Sequence, residues 1–182
     1  MRLFTGIDLP EQVNSSLQQL LIQLRPTAHL KWTPDYNLHI TLKFIGDWPE
    51  QRLEELKSVL CGIPQRAPVP VSVRGLTWMP NPHRPRLFWA AINAPALAAL
   101  NGDIEAALAP LGVAGEDRPY TPHLTLARVR MPVPLQKTRE AIAQLESVEF
   151  GAFDADRFWL YHSEPGAANS IYTRLAEFPF CK

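Results

Sequence analysis

Two short stretches constrain this chain more than any other feature. His39-Ile40-Thr41-Leu42 and His123-Leu124-Thr125-Leu126 share one pattern, histidine, aliphatic, threonine, leucine. Each lies in an apolar, β-branched run of the kind that forms a strand. Successive strand side chains point to opposite faces, so His39 and Thr41 share one face while Leu38, Ile40, Leu42 and Phe44 share the other. The same alternation sets His123 and Thr125 against Leu124 and Leu126. Each strand therefore has a core face and a polar face. Two such strands brought together make a site with two imidazoles and two hydroxyls.

The surrounding pattern repeats around these strands. Residues 2–8 alternate as an opening strand, and residues 10–25 place Val13, Leu17, Leu20, Leu21 and Leu24 at helical spacing. A short strand at 29–32 precedes the first motif strand, which runs from Leu38 to Ile45. A second helix opens at Pro49-Glu50 and ends by Gly62. Strands follow at 69–79, with Gly75 a candidate bulge, and at 87–92. A third helix starts at Pro95 and runs to Ala109, and Gly112 to Arg118 reads as a loop or short edge strand. The second motif strand covers 123–129, a fourth helix 135–145, and closing strands 153–161 and 171–180. This reads as a divergent duplication in which each half carries one motif strand. Short connections and half-exposed strands predict an α+β fold with antiparallel sheets and helices on the outer faces. The halves are expected to meet as two lobes, with polar sheet faces lining a cleft, so residues 1–182 read as a single bilobal domain.

The chain's 182 residues and 46% hydrophobic content are those of a globular domain. No apolar run is long enough to span a membrane, and the start lacks the pattern of a signal peptide, so a cytoplasmic monomer without membrane contact is the expectation. Net charge is zero, which argues against sequence-blind binding of long duplex nucleic acid but leaves room for a local basic pocket for one or two phosphates. Cys61 and Cys181 have neither metal-ligand nor disulfide-framework spacing. Two histidines without a carboxylate or thiolate at ligand spacing fall short of a zinc set, so neither metal nor cofactor is expected.

Imidazole titrates near neutrality, so one histidine can be neutral while a second is protonated. Concerted cleavage of a phosphodiester needs that pair: one ring removes a proton from water, and the other protonates the leaving oxygen. Thr41 and Thr125 can donate to non-bridging phosphate oxygens as charge builds there. His29, His83 and His162 lack this context and read as structural or solvated. Lys43 shares the His39 face by alternation. Trp32, Tyr36 and Tyr120 lie near the motifs and read first as packing residues, with base stacking as the second use.

The motifs resemble the paired signatures of the two-histidine (2H) phosphoesterases. Further matches are Arg2-Leu3-Phe4 with Ile7-Asp8-Leu9-Pro10, Asn37 through Gly46, Pro122 through Arg128, and Tyr161-His162-Ser163 with Tyr172. Together these are similar to the RNA 2′,3′-cyclic phosphodiesterases, also called 2′-5′ RNA ligases, over nearly the whole chain. The resemblance implies a bilobal fold with a pseudo-twofold axis and a metal-free, ATP-independent reaction. The substrate implied is an RNA or oligonucleotide 2′,3′-cyclic phosphate end, opened by water to a 2′-phosphate. By family analogy His39 is the proton donor and His123 the proton acceptor, although the nearly symmetric motifs do not order these roles. A 5′-hydroxyl RNA as nucleophile would give a 2′-5′ link. Arg128 matches the family's H-x-T-L-x-R as a phosphate-binding candidate. By strict alternation it lies on the Leu124 face, so it needs a bulge or the strand end to reach the cleft. Arg130 reads as a solvated arginine. Thr5 departs from the apolar or aromatic residue often found there, where a base would stack. A small cyclic nucleotide or ADP-ribose cyclic phosphate as substrate, and a non-catalytic RNA-end-binding module, remain as alternatives.

Overall fold

The computed structural model describes residues 1–181. Its elements in chain order are β1 (Arg2–Asp8), α1 (Glu11–Leu24), β2 (Lys31–Trp32), β3 (His39–Asp47), α2 (Leu53–Cys61), β4 (Val69–Met79) and β5 (Leu87–Asn93). There follow α3 (Ala96–Leu108), β6 (His123–Arg128), α4 (Gln136–Ala143), β7 (Glu149–Ala155), β8 (Arg157–Glu164) and β9 (Ile171–Pro179). The strands make two sheets, ordered β3-β1-β8-β9 and β2-β6-β5-β4-β7, and every pairing is antiparallel. The fold is α+β, with helices packed against both sheets.

The helices form where the apolar spacing requires them. In α1, Val13, Leu17, Leu20, Leu21 and Leu24 are all buried on one stripe. In α3 the stripe is Leu97, Leu100, Ile104 and Leu108. Burying a side chain of this size stabilises the fold by roughly 1.5–3 kcal/mol, so these stripes fix which way each helix faces.

The halves of the sequence do not coincide with the lobes. The core under the first sheet takes in Leu56 and Leu60 of α2 and also Leu97, Leu100 and Ile104 of α3, from the second half. The core under the second sheet takes Leu17, Leu20 and Leu21 of α1, from the first half. Strands are exchanged too: β4 belongs to the second sheet, and β8 and β9 to the first. The helix after each opening strand thus crosses to cover the other lobe, which local periodicity cannot reveal. The closing strand expected at 153–161 is in fact two strands. Ala155 and Phe158 are both buried around the exposed Asp156, which breaks the period of two, and there the chain leaves one sheet for the other.

Candidate active site

The two motif strands carry the same irregularity. Along β1 and β3, Gly6 pairs with Thr41 and Thr5 with Lys43, so Leu42 has no partner. Along β5 and β6, Trp89 pairs with Thr125 and Phe88 with Ala127, so Leu126 has none. A bulge inserts one residue and reverses the faces beyond it. Leu42 and Lys43 are accordingly both buried, as are Leu126 and Ala127. Phe44 and Arg128 return to the side of the histidines, and both line one cavity of 380 Å³. Arg128 thus reaches the cleft by the bulge that alternation alone excluded.

The bulge also overturns two expectations. Phe44 is not on the core face but 53% exposed. Lys43 is not on the His39 face but 2% exposed, with Nζ 2.7 Å from the Ala114 carbonyl, 2.7 Å from Glu105 and 3.8 Å from Glu116. Its charge is spent on tying down the 112–118 loop. Thr5 is wholly buried on the core side of β1 and is not a stacking position. Its neighbour Phe4 faces His39.

Each catalytic-candidate ring is held by the backbone two residues before it. His39 Nδ1 lies 2.7 Å from the Asn37 carbonyl, and His123 Nδ1 lies 2.9 Å from the Thr121 carbonyl. A carbonyl oxygen only accepts, so Nδ1 carries the proton in both rings and Nε2 is left for chemistry. His39 Nε2 is 3.0 Å from the Thr41 hydroxyl. His123 Nε2 and the Thr125 hydroxyl have no hydrogen-bond partner among the described residues. Burial pushes the pKa of His39 down. The Asn37 carbonyl and Asp8 oppose that, and the positive fields of His123 and Arg128 add to it. Burial likewise lowers His123, with the Thr121 carbonyl opposing and Arg128 adding. The two rings and Arg128 therefore share one electrostatic neighbourhood. Thr41, bonded to His39, also lines a 170 Å³ cavity with His123, Phe44 and Tyr120.

The walls contain residues not singled out as site candidates by pattern. Phe4 lies 4.9 Å from the His39 ring and stacks on Tyr161 at 4.9 Å, and Tyr172 meets His39 edge-on at 5.3 Å. Asp8 accepts a hydrogen bond from the Tyr161 hydroxyl and pairs with Arg174 at 2.5 Å. Gly6 leaves the space the ring needs: a Cβ there would sit 2.9 Å from the Ile40 carbonyl and 3.4 Å from His39 Cδ2. Beneath His123, Trp89 stacks at 3.7 Å and 15°. The available signal was the alternation of β1, which puts Phe4, Gly6 and Asp8 on one face; that Asp8 lies opposite His39 is seen only in the strand register of the structure. Trp32 lines the 380 Å³ cavity, and Tyr36, 78% exposed, lines another beside His39. The Tyr120 hydroxyl donates to the Thr41 carbonyl at 3.0 Å, and burial pushes its pKa up. Among the described residues no three His, Cys, Asp or Glu gather in a way that could hold a metal ion, and no helix is long and apolar enough to cross a membrane.

Comparison with known proteins points the same way. The family described as LigT like Phosphoesterase matches residues 7–89 and 92–172. A Methanocaldococcus jannaschii protein named RNA 2′,3′-cyclic phosphodiesterase is 30% identical, over 98% of this chain and 100% of its own. A Methanothermobacter thermautotrophicus protein of the same name is 32% identical over 98% of both. The crystal structure of a Thermus thermophilus protein superposes with a TM-score of 0.83 at 30% identity, covering 99% of this chain and 98% of that one. Escherichia coli LigT complexed with 3′-AMP shares the fold, with a TM-score of 0.78 at 23% identity over 100% of this chain and 98% of that one.

Proposed function

The chain belongs to the LigT-like phosphoesterase family, and we propose that it hydrolyses 2′,3′-cyclic phosphate ends of RNA to 2′-phosphomonoesters with two histidines as its acid and base. The observation that carries this reading is the pair of equivalent imidazoles, each with Nδ1 tied to a carbonyl and Nε2 left for chemistry, near enough that His123 acts on the pKa of His39. The names of the full-length relatives supply the substrate class.

In the proposed reaction His123 Nε2 takes a proton from water as the water oxygen bonds to phosphorus. The P–O3′ bond breaks, and His39 Nε2–H gives its proton to O3′, leaving the phosphate on O2′. Two features order the roles. Asp8 favours a charged His39, whereas no carboxylate acts on the pKa of His123. His123 Nε2 has no competing partner among the described residues, as suits a base waiting for water. Thr41 and Thr125 donate to the non-bridging oxygens, and Arg128 offsets the phosphate charge. Neither step calls for a metal or another cofactor. With a 5′-hydroxyl RNA end in place of water the same displacement yields a 2′-5′ link.

The test is incubation of the chelator-treated protein with an RNA oligonucleotide ending in a 2′,3′-cyclic phosphate. A 2′-phosphomonoester is expected. A 3′-phosphate product, no turnover, or activity abolished by the chelator contradicts the proposal.

A further inference from the structure

A zero net charge hides a strong local separation of charge. The 380 Å³ cavity at the mouth of the cleft is lined by Arg2, Lys31, Arg128 and Arg130, with no carboxylate. A second and larger cavity, 760 Å³, begins where this one ends: Arg130 lines both. Its other cations are Arg84, Arg86 and Arg139, again with no carboxylate in the lining. Seven of the chain's 18 lysines and arginines therefore follow one track, while the balancing acids lie elsewhere.

Most of this charge is uncommitted. Arg84, Arg86 and Arg130 are exposed and make no side-chain hydrogen bond or ion pair among the described residues. Arg139 is the exception, held by the Pro82 carbonyl and stacked over Trp78 at 5.6 Å. Unpaired like charges this close repel one another, so an anionic occupant stabilises the arrangement. The groove also has an apolar floor that includes Pro85, Pro132 and Met131, the last 69% exposed. Cations beside exposed apolar surface suit a polymer with charged links and unpaired bases. A duplex keeps its base faces stacked and out of reach of such a surface. Strand β6 gives the direction, since His123 begins it and Arg130 lies just past its end. At about 3.3 Å per residue the seven steps from His123 to Arg130 span roughly 23 Å, several nucleotides from the reacting phosphate.

We infer that the groove lined by Arg84, Arg86, Arg130 and Arg139 is a binding track for single-stranded RNA, holding the nucleotides on the 5′ side of the terminal phosphate. It rests on the proposed function for what occupies the cleft. It adds that the preferred substrate is a chain and not a mononucleotide. The local basic pocket for one or two phosphates that a neutral net charge leaves room for is thereby extended.

The experiment compares wild type with Arg84→Ser/Arg86→Ser, two exposed positions outside the cleft. Three substrates and ligands are used: a 2′,3′-cyclic mononucleotide, a ten-nucleotide strand with a 2′,3′-cyclic end, and the same strand with a 3′-hydroxyl. The expected result is an unchanged kcat/KM on the mononucleotide and a roughly tenfold lower kcat/KM on the strand, consistent with the loss of two phosphate contacts. Fluorescence anisotropy with the 3′-hydroxyl strand should show weaker binding, with the log–log salt slope reduced by about 0.7 per lost contact. Equal kcat/KM on strand and mononucleotide in wild type, or unaltered strand binding and salt slope in the variant, overturns the track. If neither cyclic substrate is turned over, the proposed function fails, and the anisotropy arm still decides whether the groove holds RNA.

Discussion

The two half-sites share a backbone and differ in what their neighbouring strands present. Register makes the positions equivalent. Thr41 and Thr125 sit opposite Gly6 and Trp89, and His39 and His123 sit opposite Asp8 and Ala91. Beyond the bulges Phe44 corresponds to Arg128. The His39 side therefore has an empty position and a carboxylate, and its ring settles into an aromatic enclosure. On the His123 side Trp89 fills the position of Gly6, Ala91 stands in the place of Asp8 and Arg128 in that of Phe44, and no carboxylate acts on the pKa of His123. A symmetric motif with asymmetric neighbours can divide acid from base, a division that the motif itself does not contain.

Removing either ring tests the shared part of the comparison and should have the largest effect. His39→Ala and His123→Ala are each expected to lower kcat by about 10²–10⁴-fold with the fold intact by circular dichroism. A variant that keeps wild-type turnover would remove its half-site from the chemistry. Gly6→Ala tests the empty position. A Cβ cannot fit without moving the Ile40 carbonyl or the His39 ring, and a displacement of about 1 Å costs up to about 10²-fold in kcat. Retained activity would mean that the ring position is not set by this gap.

The carboxylate is tested by exchanging the equivalent residues. Burial lowers both imidazoles, so the pH profile of kcat/KM is expected to be a bell centred on the acid side of the ordinary imidazole value of about 6.5. Asp8→Asn removes the field that favours protonated His39, so the alkaline limb should move to lower pH while the acid limb stays. Ala91→Asp places a carboxylate opposite His123 and should move the acid limb to higher pH. Opposite assignments of the moved limbs would reverse the roles of the two histidines.

The smallest expected effect is on stability. A histidine whose pKa is lowered in the folded state binds fewer protons there than in the unfolded chain. Stability is therefore full above about 6.5 and falls as pH drops toward the folded pKa values. Urea midpoints should decline over that range, less steeply in His39→Asn/His123→Asn. Because the lobes exchange helices and strands, we propose that residues 1–182 unfold as one unit. Fluorescence and circular dichroism should give coincident transitions, and separated ones would contradict this.

Much of this was legible in the sequence where one pattern governs a long enough stretch. The stripes of α1 and α3 and the alternation through His39 to Leu42 and His123 to Leu126 placed helices, strands and site faces together. The bulges were not legible, because Leu42-Lys43 and Leu126-Ala127 read equally well as continued alternation. Only the register with β1 and β5 shows the skipped residue. The exchange of helices between lobes is decided by long-range packing. The basic track was hidden for another reason: its arginines are scattered from position 84 to position 139, and the chain's total charge is zero.

The central claim is a division of labour between two rings, and a sulfur substitution tests it most directly. In a 2′,3′-cyclic substrate with sulfur at the 3′ position, the leaving thiolate needs no proton. His39→Ala should recover most of its lost turnover on this substrate, and His123→Ala should recover none, because water still requires a base. Recovery by His123→Ala instead, or equal behaviour of the two variants, would contradict the account.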